Sequence, residues 1–130
     1  MVTKPWGCYI DLFRTPNLVI KKIRLNPGQA TSLQSHEDRA EIWMAHLGIV
    51  TVTVNDHICE LTPSSVSNID SVRDGTSQSS AMLICTDDVH RAENKTEKPV
   101  SFWEVQFGEC DEEDIVRLSD LYGRVTKGEN

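Results

Sequence analysis

The sequence predicts an all-β sandwich or barrel carrying one short C-terminal helix. Three observations predict it. Short apolar–polar alternations recur along most of the chain, turn residues separate them, and a single late segment has helical period. The 130 residues, 38% hydrophobic and 25% charged, suit a single domain over 1–130 with a core that needs no disulfide framework.

The elements follow in order. An N-terminal strand region comes first. From Leu18 to Leu25, Val19, Ile23 and Leu25 take one face while Lys22 and Arg24 take the other, and Lys21-Lys22 reads as a wet strand edge. Asn26-Pro27-Gly28 breaks that run. Gln34 and His36 are two apart, so in an extended chain their side chains share a face. Glu41 to Leu47 alternates again, placing Glu41, Trp43, Ala45 and Leu47 together. Ile49 to Val54 is rich in β-branched residues, and Asn55-Asp56 turns it back toward Ile58 to Leu61.

Further strands are expected at Val66 to Ile69, Ala81 to Thr86 and Phe102 to Phe107, with Asp70 to Ser80 as a polar loop. The helix is expected between Asp111 and Gly123. Asp111 suits an N-cap, Glu112, Glu113 and Asp114 suit the first turn, and Ile115, Leu118 and Tyr122 form an apolar stripe.

Composition excludes several function classes. Thirteen Lys and Arg against twenty Asp and Glu give a net charge of −7, which disfavours a nucleic-acid partner. No apolar run approaches the roughly 20 residues of a membrane span, and no signal-peptide pattern opens the chain. A cytoplasmic protein without a membrane partner is the expectation. Cys8, Cys59, Cys85 and Cys110 are scattered and read as buried free thiols.

The chemistry concentrates between Gly28 and Gly48. If the strand of Gln34 and His36 pairs with the strand of Glu41, a carboxylate comes opposite an imidazole and an amide oxygen. His90, after the Asp87-Asp88 turn, offers a fourth donor. Such a mixed nitrogen and oxygen set suits a divalent metal ion and does not distinguish Zn, Mn, Fe, Co or Ni.

Gly28, Gln34, His36, Glu41 and Gly48 reproduce the spacing of the first cupin motif, with Gln at its first histidine position. His90 and Asn94 match the end of the second motif, where Cys85 and Asp87 replace the usual Pro and Gly. The chain therefore resembles the cupins, which implies a double-stranded β-helix or jelly-roll barrel.

Lys4-Pro5-Trp6-Gly7, the run from Ser32 to His36, Arg39-Ala40-Glu41 with Trp43, and His90-Arg91 with Glu93-Asn94 narrow the resemblance. So do Glu104-Val105-Gln106 with Gly108, the run Glu113 to Arg117, and Asp120 with Tyr122-Gly123-Arg124. These are similar to the type II mannose-6-phosphate isomerase family, whose cupin domain is the C-terminal part of a bifunctional enzyme with a mannose-1-phosphate guanylyltransferase.

That resemblance implies that Gln34, His36, Glu41 and His90 hold the metal, that Arg39 is important for isomerisation, and that the barrels pair as a homodimer. The implied reaction converts mannose 6-phosphate to fructose 6-phosphate through an enediolate, with the ion stabilising the developing charge. Glu104 is a candidate general base. A clamp for the phosphorylated sugar could come from Lys22, Arg24, Arg91, Arg117 or Arg124.

Two departures bear on this. Glu37-Asp38 stands where the family is histidine-rich, and Ile42 stands where it has a further histidine. The competing readings are a non-catalytic metal cupin that binds a sugar phosphate or nucleotide sugar, and a structural subunit without metal.

Overall fold

A computed structural model describes residues 1–63 and 77–124. Among these it shows twelve strands and no helix. They are β1 (Val2–Lys4), β2 (Gly7–Arg14), β3 (Leu18–Leu25), β4 (Leu33–Ser35), β5 (Arg39–Leu47) and β6 (Val50–Val54), followed by β7 (His57–Leu61), β8 (Ser77–Ser79), β9 (Ala81–Ile84), β10 (His90–Glu93), β11 (Val100–Gly108) and β12 (Val116–Ser119). One sheet runs β1-β2-β3-β11-β5-β9 and the other β12-β4-β10-β6-β7-β8. All ladders are antiparallel except β7 with β8. The architecture is a cupin barrel.

The expected strand at Val66 to Ile69 lies outside the described residues, as does most of the loop from Asp70. Ser77–Ser79, placed in that loop by composition, is a strand beside β7. The expected helix is absent. Asp111 starts only a tight turn, its side chain accepting from the Glu113 amide at 2.9 Å and its carbonyl from the Asp114 amide at 3.0 Å. The chain then extends, and Val116–Ser119 pairs with Leu33–Ser35. An isolated helix of about a dozen residues is marginal in water, so the strand ladder overrides the apolar period.

Strand parity decides what the barrel contains. Val19, Lys21, Ile23 and Leu25 on β3 are buried, as are Val100, Phe102, Glu104 and Gln106 on β11 and Arg39, Glu41 and Trp43 on β5. Register sets Leu25 against Val100 and Ile23 against Phe102, but Lys21 against Glu104. On the other flank Gln106 stands opposite Glu41. The interior is thus apolar at one end, closed by Trp6, Val50, Val52, Leu61 and Ala92, and polar at the other. The Lys21-Lys22 reading was half wrong, because adjacent strand residues face opposite ways and Lys21 points inward.

Gly48 turns β5 into β6 at φ +76, and an added Cβ there would stand 2.6 Å from a Val100 methyl. Asn94, 1% exposed, donates from its amide to the carbonyls of Leu25 (3.1 Å) and Lys98 (2.8 Å). Its place at the motif's end is structural. The cysteines are free as expected, but Cys85 is exposed and the other three are only half-buried.

Candidate functional site

Three side chains converge at the polar end. His36 follows β4, Glu41 belongs to β5 and His90 opens β10. Their nearest ligand atoms all lie within 4.8 Å of one another, and all three residues are buried. His36 Nε2 is 3.4 Å from Glu41 Oε2, and His90 Nε2 is 3.8 Å from Glu41 Oε1. The expected pairing of the Gln34 strand with the Glu41 strand does not occur. The strand β4 pairs with β10 and β12 in the second sheet, so His36 and Glu41 meet across the interior.

Both imidazoles are aimed by backbone carbonyls. His36 Nδ1 lies 2.6 Å from the carbonyl of Asp114, and His90 Nδ1 lies 2.9 Å from that of Asp88. A carbonyl only accepts, so each Nδ1 carries the proton and each Nε2 presents its lone pair to the centre. Burial lowers the His36 pKa from its ordinary 6.5 to about 4, helped by the Arg39 charge, and burial lowers that of His90 too. Both rings are therefore neutral near pH 7, as a metal ligand requires.

The donor set fits a divalent ion. Ligand atoms held about 2.1 Å from one ion stand roughly 3.0–4.2 Å apart in tetrahedral or octahedral geometry, and the separations of 3.4 and 3.8 Å fall inside that span. His90 Nε2 is buried without a hydrogen-bond partner among the described residues, an arrangement that is costly unless something takes the lone pair.

Glu41 is otherwise engaged by Trp43 Nε1, which donates to Oε1 at 2.8 Å, and by Arg39 Nε, which donates to Oε2 at 3.0 Å. Gln34 stands across the ladder from His90, and its Oε1 accepts from the Ser32 hydroxyl at 2.8 Å.

Beside the trio lies a cleft of about 190 Å³, lined by Lys4, Lys21, Arg39, Arg117 and Arg124 against only two carboxylates, Glu104 and Glu112. Burial and the charges of Arg117 and Arg124 lower the Lys4 pKa. Lys21 Nζ donates to Glu112 Oε1 at 2.7 Å and sits 4.2 Å from the Tyr9 ring centre. Arg124 forks onto Asp120 at 2.9 and 3.0 Å. Glu104 accepts from Gln106 Nε2 at 2.6 Å, and burial with the nearby Glu41 charge pushes its pKa from 4.5 up to about 7.

Several expectations change. Lys22 lines a groove on the outer face of the sheet with Arg24 and Lys98, its ammonium 5.4 Å from the Trp103 ring centre. Arg91 ties carbonyls together, donating to Thr31 at 3.0 Å and Ser119 at 3.2 Å. Neither lines the cleft. Glu37 and Asp38 face solvent, their amides held by the Asp114 carboxylate at 2.9 Å each, so they do not crowd the centre. Lys4 and Lys21 were missed, although parity with Val19 and Ile23 marked Lys21 as inward.

The chain is similar to several known proteins. The chain is 33% identical over 124 residues to the xanthan biosynthesis protein XanB of Xanthomonas campestris, covering 95% of this chain and 23% of that protein. It is 35% identical over 127 residues to the alginate biosynthesis protein AlgA of Pseudomonas aeruginosa, covering 97% and 23%. It is 30% identical over 125 residues to the mannose-1-phosphate guanylyltransferase ManC of Salmonella typhimurium, covering 95% and 23%.

Among solved structures, the capsular polysaccharide assembling protein CapF of Staphylococcus aureus superposes with a TM-score of 0.67 at 16% identity, covering 90% of this chain and 33% of that one. A double-stranded β-helix protein of Klebsiella pneumoniae gives 0.61 at 17% identity, covering 83% and 84%. These two speak for the fold alone.

The matches overturn the expected conversion of mannose 6-phosphate to fructose 6-phosphate. The chain spans 23% of the length of these relatives, one of which is named for guanylyl transfer. A whole protein's activity is not carried by so partial a match. Among the described residues, no helix is long and apolar enough to cross a membrane. A family model described as mannose-6-phosphate isomerase C-terminal matches residues 1–120, and the chain belongs to that family.

Proposed function

We propose that His36, Glu41 and His90 hold a divalent metal ion, and that the adjoining basic cleft receives a small phosphorylated carbohydrate for an acid–base step. The observation that carries this is the buried, unpartnered Nε2 of His90 facing Glu41 and His36 beside a cleft dominated by cations. The ion, when bound, supplies positive charge that polarises ligand oxygens.

The chain's own residues do the rest. Lys4, Lys21 and Arg117 make the cleft attractive to a phosphate, which arginine can grip with two parallel hydrogen bonds. Glu104, with a pKa near neutrality, can take or return a proton within the cleft. Trp6, Ile23 and Phe102 supply the apolar wall that limits water. The xanthan, alginate and mannose-1-phosphate names of the relatives support carbohydrate phosphates as the ligand class.

Equilibrium dialysis against Mn²⁺ or Zn²⁺, followed by calorimetric titration with phosphorylated and unphosphorylated hexoses, tests the reading. One ion per chain is expected, lost in His90→Ala, with binding only of the phosphorylated sugars. Ion uptake that ignores His90→Ala, or equal binding of both sugar classes, would refute it. Pairing of two copies through the exposed Ile10, Leu12, Met44 and Leu83 of the first sheet is a further expectation, which sedimentation would reject by finding a monomer.

A further inference from the structure

The buried Arg39, 6% exposed, binds two of the three candidate ligand residues. Its Nε donates to Glu41 Oε2 at 3.0 Å, and its Nη2 lies 3.2 Å from His36 Nε2. Because His36 Nδ1 is committed to the Asp114 carbonyl, Nε2 is the acceptor and the guanidinium donates to it. The third arm, Nη1, donates to the Asp111 carbonyl at 3.2 Å. One cation thus takes the single lone pair of His36 Nε2, one of those on Glu41 Oε2, and a carbonyl of the 109–115 segment. Only His90 Nε2 is left with nothing.

We infer that Arg39 is an internal stand-in for the metal: the guanidinium and a divalent ion exclude one another at His36 Nε2 and compete for the negative charge of Glu41. This rests on the metal reading above and adds a residue that opposes the ion. The physical ground is twofold. A lone pair cannot serve a guanidinium N–H and a metal together, and two cations sharing one buried carboxylate repel strongly where water does not screen them. Ion binding therefore frees the guanidinium from His36 and weakens its hold on Glu41, and the cleft that Arg39 already lines is the adjoining open space. The Asp111 tether makes the 109–115 segment sense the exchange.

The test compares Zn²⁺ affinity, by competition with a chromophoric chelator, in the wild-type chain and in Arg39→Gln, Arg39→Lys and His90→Ala, each checked for fold by circular dichroism. Arg39→Gln should bind Zn²⁺ about tenfold tighter or more, since it removes charge-assisted bonds the ion must break. Arg39→Lys, still cationic but without the fork, should fall between. A selectively ¹⁵N-arginine-labelled wild-type chain should show the Arg39 Nε–H resonance move when Zn²⁺ is added, which a purely structural arginine would not do. Arg39→Gln binding no tighter than a wild-type chain that binds Zn²⁺, or an unmoved resonance, overturns the inference and leaves the metal reading standing. If the wild-type chain binds Zn²⁺ no better than His90→Ala, both fall together.

Discussion

Glu104→Gln should stabilise the metal-free protein increasingly as the pH rises from about 5 through 7. Glu104 is 6% exposed on β11, and its folded-state pKa stands at about 7 against the ordinary 4.5. A raised carboxyl contributes its full stability below 4.5 and loses it as the pH climbs through 7, because the unfolded chain ionises freely while the folded chain must bury the charge.

At about 1.4 kcal/mol per pH unit, the gap corresponds to roughly 3 kcal/mol at the alkaline limit, of which about 2–3 kcal/mol develops between pH 5 and pH 8. Glutamine keeps the shape and can still accept from Gln106 Nε2, but it never ionises. Urea unfolding followed by tryptophan fluorescence should place the variant within about 1 kcal/mol of wild type at pH 5, and about 2–3 kcal/mol above it at pH 8. An offset that is the same at both pH values would refute the assignment of a buried, near-neutral carboxyl.

Three other outcomes follow from the same structure. With the Glu104 titration removed, stability should fall as pH drops from about 6.5 toward 4. The unfolded chain then takes up protons that His36 and His90 refuse when folded; His36 alone costs about 3 kcal/mol at pH 4, and a pH series in which stability holds or rises would disprove it. Gly48→Ala forces a Cβ into a left-handed position 2.6 Å from Val100 and should cost about 1–3 kcal/mol in urea unfolding. Asn94→Ala removes the amide donor to the buried Leu25 carbonyl and the acceptor of the Thr96 amide, and should cost about 1–3 kcal/mol, with ion binding retained.

What the sequence determined by itself was most of the strand pattern and the residues to look at for a metal site. Alternation is local, so β3, β5 and β11 were legible within a residue or two, and motif spacing singled out Gln34, His36, Glu41 and His90, of which the structure clusters the last three. What only the tertiary structure decided was how these parts face one another. Register placed Lys21 rather than Lys22 against Glu104, and the Asp114 carbonyl, remote in sequence, chose the His36 tautomer.

The 111–123 segment carries a helical pattern, but its carbonyls serve His36 and Arg39 and its strand completes a ladder with β4. Local period is a weak preference of tenths of a kcal/mol per residue, and long-range hydrogen bonds to buried groups outweigh it. Arg39 shows the same division. Its position between two candidate ligands was readable from the chain, but its hold on the His36 lone pair exists only once the end of β4 and β5 meet across the barrel.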